Sequence, residues 1–169
     1  MRTSSIIATA ILGLASGAGL AADKISAEDF VKKASESGLA EVEMGKMGSA
    51  KATDAEVKAF AQRMVTDHTK ANKELAAAAK AKNLQLATDP GLVHKGMAEK
   101  FEHQKADHDF NEDFMEQMVR DHEAAVKLFQ TASADSTLDP ELRTLAKKTL
   151  PTLEKHLADA KQLEEKLDR

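Results

Sequence analysis

Phe60-Ala-Gln-Arg-Met-Val-Thr-Asp-His-Thr-Lys-Ala-Asn-Lys73 decides the fold, because 54 residues later it returns as Phe114-Met-Glu-Gln-Met-Val-Arg-Asp-His-Glu-Ala-Ala-Val-Lys127. Phe60, Met64, Val65, Asp67, His68, Ala71 and Lys73 match Phe114, Met118, Val119, Asp121, His122, Ala125 and Lys127. At about 100° per residue, Phe60, Met64, His68, Ala71 and Leu75 fall in one stripe, as do Phe114, Met118, His122, Ala125 and Phe129. Each segment therefore reads as an amphipathic helix with a histidine near the middle of its apolar face. Core and polar residues recur in the same order, so the two helices present similar faces. Duplication and convergence on one structural role both produce that pattern.

Outward from these segments the chain is crowded with Ala, Glu, Lys, Leu, Met and Gln, which lose least on entering a helix, and no strand-like alternation survives past Ile25. Two of the three prolines stand in loop punctuation, Asp89-Pro90-Gly91 and Asp139-Pro140. Long helices are expected over residues 26–51, 53–82, 107–132 and 140–167, with a short one over 91–104. Ser26, with Asp29 three residues on, caps the first. Pro140 suits the first turn of the last, whereas Pro151 inside it removes a backbone donor and predicts a bend. Four long helices with short connections predict an all-α, up-down-up-down four-helix bundle, with a short extra helix between helices two and three.

The N-terminal end reads differently. Met1-Arg2, an apolar run from Ile6 to Leu20, and Gly19-Leu20-Ala21-Ala22 ahead of Asp23 and Lys24 follow the order of a secretory signal. The run is shorter than the roughly 20 residues of a membrane span. The expectation is a signal peptide over residues 1–21, cleaved after Ala21 or Ala22, and one bundle domain over residues 22–169, long enough for a single core. The compartment implied is the periplasm, free or in association with the outer membrane. The exterior carries no barrel pattern, so membrane insertion is not expected. The chain has 24 basic and 28 acidic side chains, net −4, and loss of Arg2 makes it more negative still. Nucleic acid is not an expected partner. No cysteine is present, which excludes disulfides, thiolate metal sites, lipidation at cysteine and covalent c-type haem. Chemistry is left to His, Met and the carboxylates.

In the last helix Leu142, Leu145, Ala146, Leu150, Leu153, Leu157, Ala160 and Leu163 form the apolar face, with His156 within it. In the first, Phe30, Ala34, Gly38, Met44, Gly45 and Gly48 form a face of small and apolar residues with Glu41 at its centre. Each long helix thus aims one polar group inward. Counted at about 1.5 Å per residue, Glu41, His68 and His122 agree in level to within ~5 Å, while His156 is offset by ~9 Å. A carboxylate and three imidazoles buried without partners cost several kcal/mol, so they satisfy one another or hold a charge between them. Glu41, His68, His122 and His156 are the candidate metal ligands. Imidazole and carboxylate donors suit Zn, Cu, Fe or Ni, and Met44, Met64 and Met118 offer soft ligands to copper or fill the core. Asp67 and Asp121 flank the histidine stripes as second-layer acceptors or surface ion-pair partners. His94, His103 and His108 lack a matching stripe and are expected in solvent. No nucleophile beside a histidine, no Gly-rich phosphate loop and no paired Glu-x-x-His motif of a di-iron centre is found.

The strings Gly38-Leu-Ala-Glu-Val-Glu-Met-Gly45, Phe60-Ala-Gln-Arg-Met-Val-Thr-Asp-His68, Met118-Val-Arg-Asp-His122 and Leu150-Pro-Thr-Leu-Glu-Lys-His156 resemble the bacterial domain-of-unknown-function family numbered 4142, over nearly the whole mature chain. That resemblance implies an exported protein with a ferritin-like four-helix fold, often labelled a predicted outer-membrane protein, and no established reaction. One departure stands out: Phe110-Asn-Glu-Asp-Phe114 occupies the place of a Phe-Asp-x-x-Tyr pattern. The resemblance therefore implies that Asn111 replaces an acid and Phe114 a hydroxyl.

The leading expectation is an exported bundle that binds a transition metal ion at a central His/carboxylate site, for storage, sensing or resistance rather than turnover, with the question of catalysis left open. The alternative is a non-catalytic envelope protein that contacts envelope partners and whose buried His/Glu cluster only fixes the fold. A third reading places haem or an oxidase site on the His and Met side chains.

Overall fold

The computed structural model describes residues 24–169; the expected signal peptide lies outside them. Five helices follow one another, α1 Ala27–Lys51, α2 Ala55–Ala81, α3 Gly91–His103, α4 His108–Ala134 and α5 Pro140–Leu167, and the described residues hold no strand. The starts of the four long helices are set by side chains that take up orphaned backbone N–H groups. Ser26 Oγ accepts from Asp29 N at 3.0 Å, Asp54 Oδ1 from Glu56 and Val57, Asp107 Oδ1 from Phe110, and Asp139 Oδ1 from Glu141 and Leu142. α5 runs on through Pro151.

The four long helices form a bundle in which α1 packs along α2 and α4, and α5 along the same two. Phe30 near the start of α1 meets Phe129 near the end of α4, with ring centroids 5.3 Å apart, and Gly48 near the end of α1 faces Phe114 near the start of α4. Lys82, just past α2, pairs with Asp139 and Glu141 at the start of α5, and Lys166 at the end of α5 with Glu56 at the start of α2. Hence α1 and α5 run one way and α2 and α4 the other. All neighbours are antiparallel, but the order along the chain is up-down-down-up, which corrects the expected up-down-up-down direction.

The physical reason lies in the connection after α2. Instead of turning back at once, residues 82–107 climb the flank of α1. Ala87 N donates to Ser35 Oγ at 2.8 Å low on α1, and Lys51 Nζ at its upper end donates to the carbonyls of Phe101 and Glu102 at 2.6 and 2.8 Å. Gly91 opens α3 at φ +81°, a conformation that a side chain resists, with its N–H held by Asp89 Oδ1 at 2.8 Å. One long crossover is an established way to build a four-helix bundle.

Two apolar clusters fill the bundle. The lower contains Phe30, Val31, Leu75, Phe129, Leu142 and Leu153; the upper contains Phe60, Met64, Phe101, Phe110, Phe114 and Met118. Where Gly48 lets α1 approach α4, an added Cβ would stand 2.5 Å from Cζ of Phe114. Glu41, His68, His122 and His156 fall between the two clusters along their helices. No helix among the described residues is long and apolar enough to cross a membrane.

Candidate metal centre

Each inward polar group sits near the middle of a long helix, where an apolar stripe on both sides carries it into the core. Glu41 on α1, His68 on α2, His122 on α4 and His156 on α5 are 2, 5, 0 and 2 % exposed. The three imidazoles form a nearly equilateral triangle, with ring centroids 5.5 Å apart for His68 and His122, 5.5 Å for His68 and His156, and 5.4 Å for His122 and His156. One ring nitrogen from each lies within 4.8 Å of the others. The offset expected for His156 does not appear.

Hydrogen bonds decide which nitrogens are free. His122 Nδ1 lies 2.8 Å from the carbonyl oxygen of Met118, one turn back, and must carry its proton there; His156 Nε2 lies 3.0 Å from Asp67 Oδ2, which accepts. The lone pairs left over are on His122 Nε2 and His156 Nδ1. These two atoms, together with His68 Nε2 and Glu41 Oε2, are buried with no hydrogen-bond partner. Orphaned acceptors at such depth cost about 1–3 kcal/mol each. Two of the three imidazoles therefore have the tautomer and the outer hydrogen bond found in metal-bound histidines, whose second nitrogen donates to a carboxylate or a backbone carbonyl.

The spacing also fits an ion. A metal about 2.0–2.1 Å from each ring nitrogen lies roughly 3.2 Å from each ring centre, which sets ring centres about 5.2 Å apart in tetrahedral and 5.5 Å in trigonal geometry. The observed 5.4–5.5 Å falls in that range.

Glu41 is placed differently. Its Oε1 lies 3.6 Å from His122 Nδ1, the protonated edge of the ring, so it stands behind His122 and outside the group of converging nitrogens. Burial, with the Asp121 carboxylate adding, holds its carboxyl well above the usual range. Burial also lowers the imidazoles. His68 falls to about 3, with His122 and His156 adding to the drop. His122 falls to about 4, with the Met118 carbonyl opposing. His156 is lowered by burial against the pull of Asp67. All three are thus neutral at pH 7, the form that binds metal.

The two aspartates of the repeat part company. Asp67 reaches across to His156, whereas Asp121 accepts from Gln117 Nε2 at 2.9 Å and faces His94 Nε2 at 3.7 Å. His94 is therefore half-buried and its imidazole raised by Asp121, rather than standing free in solvent. Its approach to α4 depends on the crossover, which the sequence pattern does not encode. Met64 and Met118 are fully buried in the upper cluster. Asn111 serves the α1–α2 connection: its Oδ1 accepts from Thr53 N at 3.0 Å and its Nδ2 donates to Thr53 Oγ1 at 2.8 Å, three turns from His122. His108, Asp109 and Glu112 also converge, on the exterior.

A family model described as a domain of unknown function (DUF4142) matches residues 14–163. No curated protein and no solved structure matches the chain.

Proposed function

This chain belongs to the DUF4142 family, whose description names no activity, and from that premise we propose that it binds one transition-metal ion between His68, His122 and His156. The observation that carries the reading is the triangle of free imidazole nitrogens, two of whose rings are fixed by outer hydrogen bonds that they donate to the Met118 carbonyl and to Asp67. Three nitrogens of this kind suit Zn, Cu, Fe or Ni. Glu41 stands behind His122, 3.6 Å from its Nδ1, while the Met118 carbonyl holds the ring's orientation. The role is holding an ion for storage, sensing or resistance.

Elemental analysis of protein purified without an affinity tag or chelator tests it. About one transition metal per chain, absent from the His68→Ala/His122→Ala double variant and indifferent to excess calcium, is the expected result. A protein that takes up no Zn, Cu, Fe or Ni overturns it, and the cluster then only fixes the bundle. Asp67→Ala should weaken uptake by about 10–100-fold, as loss of outer partners does elsewhere; competition against a chromophoric chelator reads this, and an unchanged affinity means that Asp67 does not orient His156.

The same reading takes residues 1–21 as a secretion signal and the periplasm as the place of work. It rests on the order of basic, apolar and small residues ahead of Asp23. The mass of the protein from a periplasmic extract should correspond to a chain beginning at Ala22 or Asp23; an intact Met1 in that fraction counts against it.

A further inference from the structure

The two sides of the histidine triangle are unlike. On the upper side the ring of Phe60 stands 6.4 Å from His122 and 6.5 Å from His156, centroid to centroid, with Met64 and Met118 fully buried around it. On the lower side there is a cavity of about 40 Å³, bounded by all four long helices, whose lining includes His68 and His156 themselves. Apart from Asp67, which precedes His68 by one residue, the other residues around it belong on that side. Ala71 and Asn72 follow His68 down α2, Phe129 follows His122 down α4, and Thr149 and Thr152 precede His156 on α5. The cavity has room for about three waters, at about 10–15 Å³ each. Asn72, Thr149 and Thr152 bring hydrogen-bond donors to a wall that is otherwise mainly apolar. Asp67, Ala71, Thr149 and Thr152 also line an outer groove of about 110 Å³ between α2 and α5, so only these side chains stand between the cavity and that groove.

A divalent ion held by three neutral imidazoles keeps both of its charges uncompensated by its donors and has a fourth position to fill. Phe60 closes one side. Resting on the metal reading above, we infer that the fourth position faces the lower cavity and takes a small anion of two or three atoms, hydroxide from water in its absence, seated against Asn72 and Thr152. The size of the cavity favours a small linear anion over a carboxylate metabolite or a phosphate ester. The site is then a metal centre with an exchangeable ligand rather than a closed structural one.

The test uses azide as the probe on the full mature protein loaded with Cu(II), with copper per chain measured on the same samples. A saturable azide-to-copper charge-transfer band is expected. Ala71→Leu, which fills the cavity, should keep about one copper per chain and weaken azide by at least about tenfold. If that variant does not fold, Thr152→Val, nearly equal in volume, serves instead: it should retain copper and also weaken azide. Copper bound with no azide band overturns the open position and leaves the metal reading standing. No copper bound overturns both. A folded variant that binds azide as the parent does shows that the anion sits elsewhere, and overturns the assignment to this cavity.

Discussion

Metal-free protein will lose stability steeply as pH falls from about 6.5 towards 4, far above the range in which ordinary carboxylates drive acid unfolding. In the unfolded chain an imidazole takes up its proton near pH 6.5. In the fold, burial holds His68 down to about 3 and His122 to about 4, and lowers His156 as well. Between those limits the unfolded state binds more protons than the native state, so stability drops as pH falls, by about 1.4 kcal/mol per pH unit for each histidine. Glu41 works the other way. Its folded pKa is raised, so its contribution is fully present below pH 4.5 and is lost as pH rises through the folded value. One carboxyl offsets only part of what the histidines lose. The expected total is several kcal/mol, comparable to the whole stability of a domain this size. Thermal melts followed by circular dichroism at a series of pH values measure it, and His68→Leu should flatten the profile. A melting temperature that stays level from pH 7 to 4.5 would show that the imidazoles are not held neutral in the fold.

Phe114→Ala should cost about 3–5 kcal/mol, the usual effect of emptying a site of this size. Phe114 is fully buried, stacks on Phe110 with centroids 5.9 Å apart, meets the edge of Phe101 at 6.4 Å, and rests against Gly48. It therefore ties α4 to α1 and to the end of the crossover at a single point. Gly48 has no side chain with which to close the void. Urea unfolding at pH 7.5 reads the loss. A cost under about 1 kcal/mol would mean that the helices collapse into the space. The position where resemblance to the family suggested a lost hydroxyl is thus an apolar anchor in this chain.

The helices themselves were legible because each of their two determinants is local. Apolar residues recur at helical spacing around His68, His122 and His156, and Ser26 and Pro140 mark helix starts that the structure retains. Direction was not legible. A stripe reads the same whichever way its helix points, and only the path of residues 82–107 over α1 decides that α4 runs parallel to α2. The triad survived the error for a geometric reason: His68 and His122 sit at the midpoints of α2 and α4, so reversing α4 leaves their levels matched. The role of Glu41 was half visible. Its burial follows from the small-residue face of α1, but its place behind His122 depends on ring orientation, and the Met118 carbonyl and Asp67 that fix the rings act through contacts no periodicity reveals.

The three histidines come from both ends of the chain's longest connection: His68 lies before the crossover, His122 and His156 after it, and none is more than 5 % exposed. In the metal-bound form proposed above, a chelator larger than the few-water cavity beside them would meet the ion only when the α1–α2 pair parts from the α4–α5 pair. The lifetime of the ion is then the waiting time for that parting. Release becomes first-order, indifferent to how much competitor is present, and as temperature-sensitive as unfolding. With no disulfide available to it, the chain would then be locked or unlocked by the proposed ion at its centre, on a clock set by the helices.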